Sequence, residues 1–204
     1  MSLSVQSIVD CKNGKHDTCH GGNSNRTYEF ILEHGVPHDS CLQYSANDSE
    51  DSTCTGLNRC EICYGPIPAP HETGAKNCFP INEYSIFYVS EHGYVKGVKD
   101  MKKELFARGP VACSIESTPN LHNYTGGIFY EDVKTKKTNH VVSIVGWGVE
   151  NDKEYWIVRN SWGAYWGENG YFRLEMNRNA LNIEQHCVWA VPSYDKVQKE
   201  EVIE

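Results

Sequence analysis

The sequence predicts an α+β protein in which helices come first and strands follow. Two early stretches, residues 3–11 and 24–34, place apolar side chains at helical spacing. From residue 84 onward, short runs rich in β-branched and aromatic residues are separated by glycine, asparagine and aspartate, which is typical of strands joined by turns. A single amphipathic helix, residues 98–108, interrupts these runs. Such a block of strands predicts an antiparallel sheet or barrel.

Each early helix has a start or stop signal. Ser4 can cap the first helix, because its hydroxyl can accept a hydrogen bond from a backbone N–H in the first turn. The second helix is followed by Gly35-Val36-Pro37, a sequence that ends helices. The side chains predicted to face inward are Val5, Ile8, Val9, Tyr28, Ile31 and Leu32.

The later half is predicted to consist of short strands around one helix. Helix 98–108 ends at Gly109-Pro110. The polar, acidic residues 193–204 predict a disordered tail. The predicted strands are 84–89, 111–115, 124–130, 141–145, 155–158 and 171–174.

The net charge and the absence of long apolar runs argue against several kinds of partner and against a membrane-spanning helix. The formal net charge is -8 at pH 7, which argues against nucleic acid and anionic membranes as partners. No run of about 18 apolar residues occurs in the sequence, so no transmembrane helix is predicted. Residues 1–20 contain no secretory signal pattern. No cofactor is expected.

The nine cysteines predict disulfides and an oxidising compartment. Cys60-Glu-Ile-Cys63 could be a redox or zinc site, but no second C-x-x-C lies at zinc-ribbon spacing. We therefore expect no metal, and interpret these cysteines as disulfide staples for a turn-rich region, residues 36–83. The sequons at Asn25, Asn47 and Asn123 are compatible with glycosylation in a secreted or lysosomal protein.

The stretch with the clearest chemical pattern is residues 138–170. His140 opens one apolar run, and a second apolar run ends at Asn160. The polar turn between them predicts a β-hairpin, which would bring His140 and Asn160 together at one end of a sheet. An amide bound to one imidazole nitrogen fixes the tautomer and leaves the other nitrogen for proton transfer. Trp162 would shield that hydrogen bond from water, whereas Trp147 and Trp166 are expected to pack in the core.

Several of these segments resemble motifs of the papain family of cysteine peptidases. The first is Asn139-His140 with Gly146-Trp147-Gly148, followed by Tyr155 through Tyr171, which matches Y-W-I-V-x-N-S-W-G-x-x-W-G-x-x-G-Y. The start of the chain resembles L-S-x-Q-x-x-V-D-C, and C-H-G-G at 19–22 resembles C-x-G-G. Within the family, N-Y-T-G-G-I at 123–128 and I-E-Q-H-C at 183–187 are most similar to the cathepsin X (cathepsin Z) branch.

The resemblance implies a papain-like fold with a left and a right domain. We expect residues 1–83 to be a truncated, disulfide-rich remnant of the helical left domain. Residues 84–192 would be the antiparallel β-barrel right domain, and 193–204 a disordered tail. The resemblance also implies a catalytic role for His140 and Asn160.

Four residues are expected to bind substrate: Gly21, Gly22, Asn139 and Trp162. For the two glycines the alternative is a plain tight turn, because glycine adopts positive φ at little cost. The resemblance favours a backbone edge that pairs with an extended peptide.

The resemblance further implies four disulfide pairs and leaves one cysteine over. The pairs are Cys11–Cys54, Cys41–Cys60, Cys63–Cys78 and Cys113–Cys187. Cys19 remains unpaired, and in the family its counterpart bonds to a cysteine of the nucleophile segment. Cys19 could itself act as a nucleophile, but nothing in the sequence places it beside His140, as catalysis would require.

The family's nucleophile segment, C-G-S-C-W, does not occur in the 204 residues. The resemblance therefore implies a cysteine-type peptidase of the cathepsin X/Z type that uses a Cys-His-Asn mechanism, with this chain predicted to be inactive alone. Its expected partners are peptide or protein substrates and a segment carrying the nucleophile. Its expected location is lysosomal or secreted, with the signal and pro-segment not in this chain. The alternative is a non-catalytic papain-fold homologue that binds peptides or protein partners.

Overall fold

The computed structural model describes residues 2–11, 21–46, 54–63, 78–135 and 137–194. These residues divide into two compact units, Met1–Glu91 with Pro192–Glu204, and His92–Val191. The division falls inside a strand, after Glu91, whereas the sequence placed a domain boundary after residue 83. Cys19, Asn47 and most of the predicted tail lie outside the described residues. No helix among the described residues is long and apolar enough to cross a membrane.

The first unit begins with two helices, α1 (Val5–Cys11) and α2 (Ser24–His34). Ser4 caps α1 as predicted, because its hydroxyl accepts a hydrogen bond from the N–H of Ser7 at 3.1 Å. The prediction for the inward face of α1 is wrong. Its buried residues are Gln6, Ser7 and Cys11, and Val5 is 53% exposed. The buried Gln6 side chain has a partner, because its amide oxygen Oε1 accepts a hydrogen bond from the N–H of Ser45 at 3.0 Å.

Helix α2 ends at a glycine that no other residue could replace without strain. Gly35 has φ +68°, and its N–H donates to the carbonyl of Ile31. A Cβ at this position would lie 2.2 Å from the Ile86 side chain. Gly35 is therefore required both for the backbone turn and for close packing of the adjacent strand.

Three short strands and part of a longer one complete the first unit. Strand β1 (Val36–Pro37) pairs antiparallel with the start of β4 (Ile86–Val95). Strands β2 (Glu61–Cys63) and β3 (Cys78–Pro80) form a separate antiparallel pair. The predicted tail starts at residue 193, but Ser193 belongs to the last strand, and the Tyr194 ring lies 5.7 Å from that of Phe87.

The second unit is built on a mostly antiparallel sheet. Helix α3 (Val98–Arg108) has the predicted bounds. A short helix, α4 (Pro119–His122), was not predicted. The strands are β5 (Val111–Ile115), β6 (Ile128–Phe129), β7 (His140–Glu150), β8 (Lys153–Arg159), β9 (Tyr171–Glu175) and β10 (Cys187–Ser193).

These strands do not close into the predicted barrel. Their order within the described sheet is β10-β5-β7-β8-β9-β6, and β6 pairs only with β9, in parallel. Among the described strands β6 has no second partner, so the sheet stays open at this edge. One face carries the core, because alternate residues of β5, β8 and β9 are buried, including Trp156, Phe172 and Leu174. The α+β class is confirmed, with an open sheet.

Replacing Gly35 by alanine should destabilise the protein more than the matched change Gly109→Ala. Both glycines end a helix at positive φ and donate to the carbonyl four residues earlier, so both substitutions cost about 1 kcal/mol or more in backbone strain. Only Gly35 faces a close neighbour, since nothing described lies within 4 Å of a Cβ at Gly109. Overpacking should add about 1–3 kcal/mol to the loss at Gly35. Urea unfolding of the two variants measures the difference, and equal losses would contradict the packing argument.

Candidate active site

The histidine at the start of β7 is held by the sheet. His140 lies opposite Ile115 of β5, and the neighbouring Asn139 donates its N–H to the Ile115 carbonyl at 3.0 Å. The side chain is half-buried. The backbone of His140 is therefore held in place by strand pairing and does not lie in a loop.

The predicted hairpin consists of β7 and β8, joined by Asn151 and Asp152. Both turn residues have positive φ, +50° and +63°, which matches a two-residue turn of the mirror-image type that suits hairpins. The register shifts by one residue between Ile144 and Gly146, so Val145 forms a β-bulge. Beyond the bulge Ser143 pairs with Arg159. Three residues further along this register, His140 would lie opposite residue 162.

The imidazole of His140 is bound to Asn160 as predicted. Its Nε2 lies 2.8 Å from Asn160 Oδ1. The same oxygen accepts the backbone N–H of Ser161 at 2.8 Å. A backbone N–H can only donate, so the atom it meets must be the amide oxygen and not the nitrogen. His140 Nε2 is therefore the donor, and Nδ1 is the nitrogen that can accept a proton.

Asn160 is buried at a cost. Its own N–H donates to Gly170 at 2.9 Å, which fixes the backbone. Its Nδ2 is buried and has no hydrogen-bond partner among the described residues. Burying an unsatisfied donor costs about 1–3 kcal/mol. A group kept at such cost is typical of a site where the orientation of another side chain matters.

An aromatic cluster covers the histidine–asparagine pair. The Trp162 ring stacks on His140, with 5.0 Å between centroids and 24° between planes. Trp166 meets Trp162 edge-on at 4.9 Å and also contacts Phe172 of the core. The core-packing prediction fits Trp166 and is wrong for Trp147, which is 37% exposed.

A salt bridge supports the loop next to this cluster. Arg173 donates from Nε and Nη2 to the Glu168 carboxylate at 2.8–3.2 Å. Glu168 also accepts the N–H of Gly127 at 3.1 Å. The hydrogen bonds from Arg173 hold the pKa of Glu168 below its ordinary value. Burial raises the pKa of Tyr124, whose hydroxyl donates to the Gly127 carbonyl.

Sequence reasoning missed two side chains near the site. The His122 ring lies 4.9 Å from that of Trp162, and its Nε2 lies 3.0 Å from Ser117 Oγ. Asn139, predicted to bind substrate, has both side-chain polar atoms on the Ser117 backbone, at 2.7 and 3.2 Å. No recognised motif includes His122 or Ser117, so only the fold could reveal these contacts.

The other predicted site residues are two glycines and two sequon asparagines. Gly21 and Gly22 are exposed in the first unit, and Gly21 has φ +138°. Their substrate-binding role remains a prediction. Asn123 is exposed and Asn25 half-buried, and the amide nitrogen of each donates within its own helix segment, to Pro119 and Glu29 respectively.

Four disulfides link the pairs that the resemblance implied. They join Cys11–Cys54, Cys41–Cys60, Cys63–Cys78 and Cys113–Cys187. The ligand atoms of Glu61, Cys63 and Cys78 lie within 4.8 Å of one another. Because the two sulfurs are bonded to each other, they are not available as thiolates to bind a metal.

Fold and site together define the class of protein. An imidazole with one nitrogen bound to a buried amide, and the other left for proton transfer, has the arrangement of a general base paired with a nucleophile. On an α+β fold stapled by disulfides, beneath a tryptophan that follows the asparagine, this arrangement is typical of papain-like cysteine proteases.

The family match agrees with this class. Residues 1–191 match the family described as papain family cysteine protease, and the chain belongs to that family. It is 38% identical over 199 residues to cathepsin Z of Onchocerca volvulus, and 30% identical over 203 residues to cathepsin S of Bos taurus. These matches cover 93% and 97% of this chain, but only 60% and 52% of the relatives' length.

A solved structure supports the fold assignment. The bromelain protease from Ananas comosus, solved in complex with the E64 inhibitor, superimposes with a TM-score of 0.70 at 26% identity. The match covers 93% of this chain and 78% of the bromelain chain.

Substituting Asn160 should change the tautomer of His140. Asn160→Ala removes the oxygen that accepts from Nε2, so the neutral ring should populate both tautomers. Asn160→Asp keeps an acceptor at this position and is the matched control, in which the Nε2–H tautomer should persist. Long-range ¹H–¹⁵N NMR correlations of the ring distinguish the two forms. A single Nε2–H tautomer in Asn160→Ala would contradict this account of the pair.

Glu168 should contribute stability that disappears in acid. Its folded-state pKa is lowered from 4.5, so its contribution is present above that value and is lost as pH falls through the lowered pKa. Glu168→Gln should therefore reduce the unfolding free energy by about 1 kcal/mol at neutral pH, allowing for partial exposure. The difference from the parent protein should shrink near pH 3. Urea unfolding at both pH values tests this, with exposed Glu83→Gln as the control, and a loss that is the same at both pH values would argue against it.

Proposed function

We propose that this chain provides the general base of a cysteine peptidase of the cathepsin X/Z type, with His140 as the base and Asn160 as the residue that orients it. The observation that carries the proposal is the shared oxygen Asn160 Oδ1, which accepts from both His140 Nε2 and the Ser161 N–H. This arrangement leaves His140 Nδ1 available for proton exchange. Family membership and the cathepsin Z relative support the same assignment.

The proposed reaction is hydrolysis of a peptide bond through a thioester. His140 Nδ1 takes the proton of a cysteine thiol, and the resulting thiolate attacks the carbonyl carbon. The imidazolium then gives its proton to the leaving amine as the C–N bond breaks. In the second half, His140 removes a proton from water, and the oxygen attacks the thioester carbonyl carbon. The C–S bond then breaks, which releases the acid and regenerates the cysteine thiolate beside the imidazolium. Asn160 keeps the ring in one orientation through both halves.

The nucleophile in this proposal comes from a C-G-S-C-W segment, and residues 1–204 contain none. The 204-residue polypeptide by itself is therefore proposed to be inactive. Cys19 is the one cysteine of nine that is outside the four disulfides. It lies outside the described residues, and we do not assign it the role of nucleophile.

The proposed substrates are peptides or proteins bound in an extended form. Gly21 and Gly22 would offer backbone groups to the substrate, because glycines allow a close approach. Asn139, which precedes His140 in the chain, and Trp162, which stacks on its ring, would also contact the substrate. Four disulfides and the cathepsin relatives support a lysosomal or extracellular location, where Asn25, Asn47 and Asn123 could be glycosylated.

The test compares cysteine alkylation in the natural protein and in the 204-residue chain. An epoxide that reacts with activated thiolates should label the natural protein on a cysteine of a C-G-x-C-W segment, identified by peptide mass spectrometry. His140→Ala should slow labelling by about a hundredfold or more, whereas His186→Ala, a change at an exposed histidine, should not. The 204-residue chain should show no thiol-dependent peptide hydrolysis.

Two outcomes would overturn the proposal. Labelling that is insensitive to His140→Ala would show that the imidazole does not activate the thiol. An intact mass near 23.1 kDa for the natural protein, with no further cysteine segment and no labelling, would instead favour the non-catalytic homologue that binds peptides or protein partners.

A further inference from the structure

We infer that His122 is a positioning residue that holds Trp162 over the His140–Asn160 pair. The inference rests on the proposed function, since it concerns the same imidazole. His122 would act only through Trp162 and would not touch the reacting atoms. Two histidines, His122 and His140, thus contact the same indole from different elements of the fold.

The contact between His122 and Trp162 is specific in geometry. The rings are 4.9 Å apart and 86° from parallel, which is a favourable edge-to-face arrangement for aromatic pairs. The exposed ring of His122 is restrained by a hydrogen bond, since its Nε2 lies 3.0 Å from Ser117 Oγ. The hydroxyl can donate to or accept from either tautomer, so this hydrogen bond fixes the ring plane rather than its protonation state.

Ser117 is in turn fixed to the backbone that carries His140. Asn139 Oδ1 accepts the Ser117 N–H at 2.7 Å, and Asn139 Nδ2 donates to the Ser117 carbonyl at 3.2 Å. Asn139 directly precedes His140. The His122 ring is therefore connected to the backbone next to His140 by three hydrogen bonds. One joins the ring to the Ser117 hydroxyl, and two join the Ser117 backbone to the Asn139 side chain.

A second connection holds the His122 backbone on the same cluster. Trp166 Nε1 donates to the His122 carbonyl at 3.0 Å, and the Trp166 ring meets Trp162 at 4.9 Å. The helix that ends at His122, α4, is capped by Thr118, whose hydroxyl accepts the N–H of Leu121 at 3.2 Å. Trp166 thus holds the backbone of His122, and Ser117 holds its ring.

Trp162 needs this support because strand pairing does not extend to it. Strand β8 ends at Arg159, and Gly163, with φ +88°, turns the chain away immediately after Trp162. The indole is half-buried and is oriented by ring contacts with His140, His122 and Trp166. An indole that moved away would let water reach the hydrogen bond from His140 Nε2–H to Asn160.

The test measures exchange of the His140 Nε2–H proton with water by NMR in the 204-residue chain. In the parent protein the proton should exchange slowly, because it is hydrogen-bonded and covered. His122→Ala should accelerate exchange about two- to tenfold, the change in an opening equilibrium expected for loss of one aromatic pair. Ser117→Ala should give a smaller acceleration. His122→Gln, which can keep the hydrogen bond to Ser117 and a planar group against Trp162, should largely restore slow exchange.

Two controls separate positioning from general destabilisation. Loss of the aromatic pair should also lower the global unfolding free energy, so the matched control is Gly109→Ala, which costs about 1 kcal/mol outside this cluster. Gly109→Ala and His186→Ala should both leave His140 exchange unchanged. Unchanged His140 exchange in His122→Ala, or an equal acceleration of His140 exchange in Gly109→Ala, would overturn the inference while leaving the proposed function intact. If the parent protein lacked the Nε2–H tautomer, the proposed function and this inference would both fail.

Discussion

The site depends on a single oxygen atom, Asn160 Oδ1, which accepts two N–H groups at once. One comes from the backbone of Ser161 and fixes the amide, and the other comes from His140 Nε2 and fixes the ring. Because the Ser161 N–H can only donate, the shared atom must be the amide oxygen, which can only accept. His140 Nε2 must therefore donate to it as well. A tautomer that would interconvert freely in water is in this way set by the backbone next to the asparagine. The cost of this arrangement is the buried Nδ2, which has no hydrogen-bond partner in the part of the chain that the structure describes.

The rest of the second unit keeps this oxygen, the imidazole and the indole in register. Strand pairing with β5 fixes His140, and the Gly170 carbonyl fixes the Asn160 backbone. Trp166 and Phe172 connect the cover over the site to the buried core. A site built on strands and core aromatics in this way is preorganised, since the imidazole is already held in one orientation.

Features with local sequence signals were predictable, and features that depend on distant contacts were not. Helix α3, strand β5 and the His140–Asn160 hairpin have periodic apolar residues and turn residues of their own. The inward face of α1 was mispredicted because Ser45, far along the chain, satisfies Gln6 and permits its burial. His122 escaped notice because its partners, Ser117 and Trp162, meet only after the sheet has formed. Whether the sheet closes could not be predicted from the sequence either, since it depends on which strands β6 pairs with.

Because of the bulge at Val145, the orientation of His140 depends on the number of residues between them. Lengthening or shortening β7 and β8 together at the Asn151–Asp152 tip leaves the opposite end unchanged, so relatives are free to differ there in hairpin length. A single-residue gain or loss between the bulge and His140 has no such freedom, because it moves the imidazole to the other face of the sheet. The number of residues between the bulge and the histidine is therefore fixed. Alignments of related chains should be anchored on that interval and allowed to vary at the tip.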